Sequence, residues 1–203
     1  MEFLGLPIET ILIIVAIAKI WGGLFYLFNK IFFLFSEIAV DEEKERKWDI
    51  RAWSVYLVGL WGWLIYFVSE NNWALFGVET GGSVLMAIGL YYAIKRYKED
   101  PSKKYLWIAR GATAAGIIAS LWIFEGVTTI NQILEFLVCL GFLMGTSLLR
   151  KKNVNGYLWF LLMNGSNAGL MGVQGAYELM AQQIISFFIV FSAYIIRKRR
   201  EKE

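Results

Sequence analysis

The chain has 203 residues, is 58% hydrophobic and 17% aromatic, and so exceeds the about 45–50% apolar content of a water-soluble domain; one small core does not accommodate its nine tryptophans and fifteen phenylalanines. There is no histidine and a single cysteine, Cys139, which argues against a metalloenzyme, a haem protein, a Ser-His hydrolase and any intramolecular disulfide. The net charge of +3 comes from loops between apolar runs, so it reflects topology and is not a nucleic-acid footprint.

The apolar runs are about 20 residues long, the length of a helix that crosses a hydrocarbon core of about 30 Å. Seven spans are predicted, and the fold class is an all-α polytopic membrane protein. The first, 7–38, is long for one crossing and either tilts or extends beyond the bilayer. It lacks a basic n-region and is far longer than a signal-peptide h-region of about 7–15 residues. Lys19 lies near its middle and needs an acidic partner or a cavity. Lys30 lies nearer the end and is expected to snorkel.

The second span, 52–68, carries "LWGWLIYF", with Trp61, Trp63 and Tyr66. These rings pack between helices or form a stacking platform for a flat heterocycle, with Trp61 the candidate contact. The third, 73–94, begins with "FGVETGG" and the isolated Glu79. The fourth, 105–124, holds Arg110, also placed to snorkel. In the fifth, 130–149, Asn131, Gln132 and Glu135 form one stripe. Glu135, the deepest, is a substrate contact or the counter-charge of Arg110 or Lys19.

The sixth span, 156–173, places Asn164 and Asn167 on one face, with Gly165 and Gly169 spaced as G-x-x-x-G beside them. The amides bind a polar substrate or join helices, and the glycines admit a neighbouring helix. In the seventh, 176–196, Glu178, Gln182 and Ser186 lie along one stripe, with Gln183 about 100° round the helix. Two adjacent amides in a span point to a pocket. No lysine occurs in this run, which excludes a retinal Schiff base there.

Every second loop is basic. The loop between spans one and two holds Lys44, Arg46, Lys47 and Arg51; the next basic loop, "KRYKEDPSKK", holds five basic residues. Arg150, Lys151 and Lys152 follow, then five more in the tail "RKRREKE". The intervening loops, including "SENN" and "EGVTTINQ", hold none. The positive-inside rule then puts the N-terminus outside and the C-terminus in the cytoplasm of a multi-pass cell-membrane protein.

A repeat is expected. Glu79 and Glu178 each follow a glycine-containing stretch near an outer helix start, and Tyr92 and Tyr194 each precede a basic cluster. The two glutamates read as charges favoured by helix N-termini or as the lining of a cation-attracting vestibule. Residues 7–96 and 129–197 form two three-helix bundles, with the helix 104–125 as linker. The intervening helix makes the two copies parallel.

This three-plus-one-plus-three pattern resembles the PnuC vitamin transporters and their SWEET relatives. The stretch "GYLWFLLMNGSNAGLMGVQGAY" is similar to the tryptophan-to-asparagine stretch of the sixth PnuC helix and its following turn, through Trp159, Asn164 and Tyr177. Here Met163 stands where the family has a second tryptophan, and the spacing from Trp159 to Asn164 is one residue longer. The resemblance implies facilitated uptake of a small polar metabolite such as nicotinamide riboside. Trp159 would stack on its ring, and Asn164, Asn167, Gln182 and Gln183 would bind its polar groups. A cytoplasmic kinase would trap the solute.

No phosphate-binding G-x-x-x-x-G-K-[ST] loop and no nucleophile–base pair are present, so neither ATP-driven transport nor enzymatic activity is expected, and no cofactor. The rival readings are a small cation or solute channel and a non-transporting scaffold or sensor. The expected partners are the lipid bilayer, a small-molecule substrate and, in a homo-oligomer, further copies of the chain; nucleic acid is not among them.

Overall fold

The computed structural model describes residues 7–96, 103–150 and 153–200. Parts of the basic clusters, at 97–102, 151–152 and 201–203, lie outside the described residues. Seven helices run in chain order: α1 Ile8–Ile38, α2 Glu42–Ser69, α3 Trp73–Lys95, α4 Lys103–Ile123, α5 Ile130–Arg150, α6 Gly156–Val173 and α7 Tyr177–Arg200. All except α6 are long and apolar enough to cross a membrane. The exception is the helix whose centre carries Asn164 and Asn167, both buried against neighbours.

The helix starts agree with the predicted spans except at α2, which begins about ten residues earlier. Asp41 is its N-cap and accepts from the Glu43 backbone N–H at 3.4 Å. Glu42, Glu43 and Glu45 occupy the first turn, where the helix dipole favours negative charge. The basic residues read as a loop therefore ride on a helical extension, and Arg46 pairs with Glu43 one turn away at 2.6 Å.

Six helices close a ring in the order α1, α2, α3, α5, α6, α7 and back to α1. α4 packs mainly against the outside of α3 and touches α5. The outer surface is apolar: Ile13, Ile17, Ile20, Trp61, Ile118, Trp122 and Phe188 are all exposed. A patch of this extent is a lipid-facing surface. One hydrophobic cluster, including Trp63, Tyr66, Phe67, Leu75, Leu170, Met171 and Leu179, draws the ring together near one end.

Glycines set the closest helix approaches, at other positions than the sequence suggested. A Cβ on Gly62 of α2 would lie 2.5 Å from the Ala18 carbonyl and 2.6 Å from the Gly22 nitrogen of α1. A Cβ on Gly165 would meet nothing nearer than the Phe187 ring at 3.9 Å, and one on Gly169 would meet Leu134 at 3.6 Å. The G-x-x-x-G of α6 therefore brings no backbone close. Gly62→Ala is expected to lower stability by about 2 kcal/mol through overpacking, whereas Gly165→Ala is neutral or slightly stabilising. Thermal unfolding of the purified variants in detergent measures both; equal melting temperatures would contradict this packing.

The α2–α3 and α6–α7 turns share one hydrogen-bond pattern. In the first, the Asn72 N–H donates to the Phe67 carbonyl at 2.8 Å and Asn71 is left-handed at φ 57°. In the second, the Ala176 N–H donates to the Met171 carbonyl at 2.8 Å and Gly175 is left-handed at φ 71°. Each position recurs 104 residues later in the chain. Both are helix ends of the Schellman type, and so is the end of α4, where the Gly126 N–H donates to the Leu121 carbonyl at 2.8 Å and Glu125 is left-handed at φ 55°.

Candidate functional site

A cavity of about 520 Å³ occupies the centre of the ring, lined by residues from all six ring helices and by Leu106 of α4. Its mouth lies at the end carrying the basic clusters. There Arg197 pairs with Glu37 at 3.4 Å, and the Tyr157 hydroxyl donates to Glu37 at 2.6 Å.

The opposite end is closed. Phe67 and Leu75 line the cavity floor. Above them the side chains of Asn72 and Gln174 bond reciprocally, Gln174 Nε2 to Asn72 Oδ1 at 2.8 Å and Asn72 Nδ2 to Gln174 Oε1 at 3.3 Å. The Tyr66 hydroxyl donates to the same Gln174 oxygen at 3.0 Å. These contacts tie the α2–α3 turn to the α6–α7 turn. On the rim, Lys19 pairs with Glu178 at 3.0 Å, which supplies the acidic partner Lys19 requires.

Between mouth and floor stands a polar group that sequence reasoning missed. Tyr26, Lys30, Phe33 and Glu37 fall on one stripe of α1 and all line the cavity. Lys30 does not snorkel. Its ammonium lies 4.5 Å from the centre of the Tyr26 ring and 5.8 Å from that of Phe160. Glu79, read as a helix-start charge or the lining of an outward vestibule, faces this cavity and accepts a hydrogen bond from the Tyr56 hydroxyl. Asn29 is 2% exposed and donates to the Ala52 carbonyl at 2.9 Å, which fixes its orientation on the wall. A usable signal was present in the sequence: Glu79 stands alone in its apolar run, and Lys30 stands one and two turns from Tyr26 and Glu37 on one stripe of the first.

Of the seven residues singled out from the sequence, the structure brings one, Asn167, to the cavity wall. Its Oδ1 has no hydrogen-bond partner. Asn164 is fully buried, donates to the Phe160 carbonyl one turn back at 2.7 Å and has an unpartnered Oδ1. Gln182 donates to Ser186 at 3.2 Å, and Gln183 donates to Gln182 at 3.2 Å; both amides are buried away from the cavity lining. Trp159 is half-buried outside the lining, and its carbonyl lies where a Cβ on Gly141 would come within 2.7 Å. Trp61 is 69% exposed on the outer surface, while its neighbour Trp63 is buried. Glu135 pairs with neither Lys19 nor Arg110: its carboxylate accepts the Ala74 backbone N–H at 3.1 Å, capping the start of α3 from α5. Arg110 stacks over Trp107 on α4, with 5.2 Å to the ring centre.

No protein-family model, curated protein or solved structure matches the chain.

Proposed function

We propose that this protein carries a small polar, vitamin-like metabolite, such as nicotinamide riboside, across the cell membrane by facilitated transport. The observation that carries the reading is the central cavity, open at one end of the helix ring and sealed at the other. Its volume of about 520 Å³ falls in the range of about 300–1,000 Å³ usual for small-molecule sites. A permanently open channel has no bonded floor, and a purely structural scaffold needs no charged residues facing a void.

The ring order supports a parallel repeat of three helices, with α1–α3 related to α5–α7 and α4 as the linker outside both. The ring sets α1, α2 and α3 side by side and α5, α6 and α7 side by side, the placement such a repeat needs. The offset of 104 residues between the α2–α3 and α6–α7 turns would pair Glu79 with Gln183, not with Glu178 as the sequence suggested. This is the architecture that the PnuC and SWEET resemblance implies. With the basic end cytoplasmic by the positive-inside rule, the cavity faces inward and the latched turns face outward. Rocking of one bundle against the other would open the latched end and close the mouth.

Uptake of radiolabelled nicotinamide riboside by cells expressing the protein, against cells with the empty vector, tests the reading. Asn167→Leu keeps the volume but cannot hydrogen-bond a solute, so it is expected to cut uptake severalfold at unchanged membrane expression. The reading fails if confirmed expression brings no uptake of any labelled vitamin or nucleoside.

A further inference from the structure

The described cavity wall carries four formal charges, Lys30, Glu37, Glu79 and Arg197. The two at the mouth neutralise one another directly. The inner two do not. Among the described ion pairs none joins Lys30 to Glu79, so their charged atoms stand more than 4.0 Å apart. They attract one another across the void without forming an ion pair, and the groups in direct contact with each are neutral: the faces of Tyr26 and Phe160 for Lys30, the hydroxyl of Tyr56 for Glu79. An aromatic face and one hydroxyl compensate a charge only partly, and charge at membrane depth is costly when uncompensated. Two opposite charges in one void normally close on each other. Here they remain apart on different helices, α1 and α3, with the cavity beside both and Asn167 of α6 on the same wall.

We propose that the solute is a zwitterion that spans this gap, its anionic group at Lys30 and its cationic group at Glu79, with Asn167 on the same wall. The assignment rests on the cavity being the solute site of the transport reading, and within the vitamin-like metabolites it favours a zwitterion over the cationic nicotinamide riboside. A lone cation satisfies Glu79 but is repelled by Lys30. A lone anion does the reverse. A zwitterion leaves the occupied cavity with its charges paired and no net charge added, which lowers the cost of enclosing the solute in a low-dielectric membrane.

The test is binding to the purified full-length protein in detergent, read by tryptophan fluorescence. Two matched sets serve as probes. Nicotinic acid riboside, a zwitterion, differs from cationic nicotinamide riboside only in a carboxylate for an amide. Phenylalanine is compared with its methyl ester, a cation, and its N-acetyl derivative, an anion. The zwitterion of at least one set is expected to bind about tenfold more tightly than its singly charged relatives, or about 1.4 kcal/mol. Lys30→Gln should abolish the preference over the cation, Lys30→Arg should retain it, and Glu79→Gln should abolish the preference over the anion. If Glu79→Gln does not fold, Tyr56→Phe keeps the carboxylate, and the zwitterion preference should persist in it. Equal binding of cation and zwitterion, no binding by either zwitterion, or preferences unchanged in both charge-removing variants would overturn the proposal. Transport is measured separately in liposomes. A zwitterion that binds but does not cross overturns the transport reading alone, and a cation that binds equally and does cross overturns the zwitterion assignment alone.

Discussion

Crosslinking position 72 to position 174 should stop uptake, and cleaving the crosslink should restore it. The two side chains meet end to end at 2.8 Å and join the turns that seal one end of the cavity. Alternating access requires those turns to part. The Asn72→Cys, Gln174→Cys double variant loses three hydrogen bonds, two between the amides and one from Tyr66, but keeps the buried floor of Phe67 and Leu75, so it should transport before treatment. The side chains reach toward one another from separate turns, so a short, reducible bis-thiosulfonate reagent suits the gap better than a direct disulfide with its strict geometry. The only native thiol, Cys139, is buried. Uptake in whole cells before reagent, after reagent and after dithiothreitol is the measurement. Full uptake by the crosslinked protein would show that the latched end does not open during transport.

The second large effect is expected at Glu135. Its carboxylate, 1% exposed, accepts the Ala74 N–H at 3.1 Å and so meets the orphan donors at the start of α3. A helix start is also where negative charge is favoured. The contact lies on the α3–α5 seam, where Cys139 of α5 also reaches the Ala74 carbonyl at 3.7 Å. Glu135→Leu would leave backbone donors unpaired in a dry interior. With about 1–3 kcal/mol for each unsatisfied group, a loss of about 3 kcal/mol or more is expected. Glu135→Gln retains an acceptor oxygen and should lose about 1 kcal/mol, the lost charge assistance of one hydrogen bond. Reversible unfolding in mixed micelles separates the two. Equal losses would mean that charge, rather than acceptance at the α3 start, is what Glu135 provides. Retained stability in Glu135→Leu would remove the capping role altogether.

Both predictions concern residues whose partners are remote in sequence, which is why their roles were only partly legible. Asn72 and Gln174 are 102 residues apart, and no local pattern announces that two short turns will touch. Glu135 was visible as an acidic group in an apolar run, but a carboxylate in a span has several ways to be satisfied. Capping from another helix is among the hardest to read, because it depends on which helix start comes alongside. Lys30 has the same ambiguity. A lysine near a span end snorkels if its face meets lipid and lines a void if its face turns inward, and side chains 100° apart on the helix decide between them.

What the sequence by itself determined is the set of helices and the kind of solvent they meet. Run length, the lack of interior breaks and the sparing use of charge depend only on residues near one another in the chain, and the helices lie where those runs lie. The extension of α2 was also written locally, in Asp41 and the acidic residues after it, although the charge run reads equally well as a loop. The tertiary structure decided the order of helices round the ring, the glycines at which backbones touch, and the faces that turn inward. Those choices put Trp61 on the outer surface, Asn167 on the cavity wall and Glu79 beside Tyr56. Lipid is as apolar as a buried side chain, so hydropathy separates outer from inner faces weakly in a membrane protein. Packing and the pairing of a few polar groups make that separation instead, and both require the whole chain to be in place.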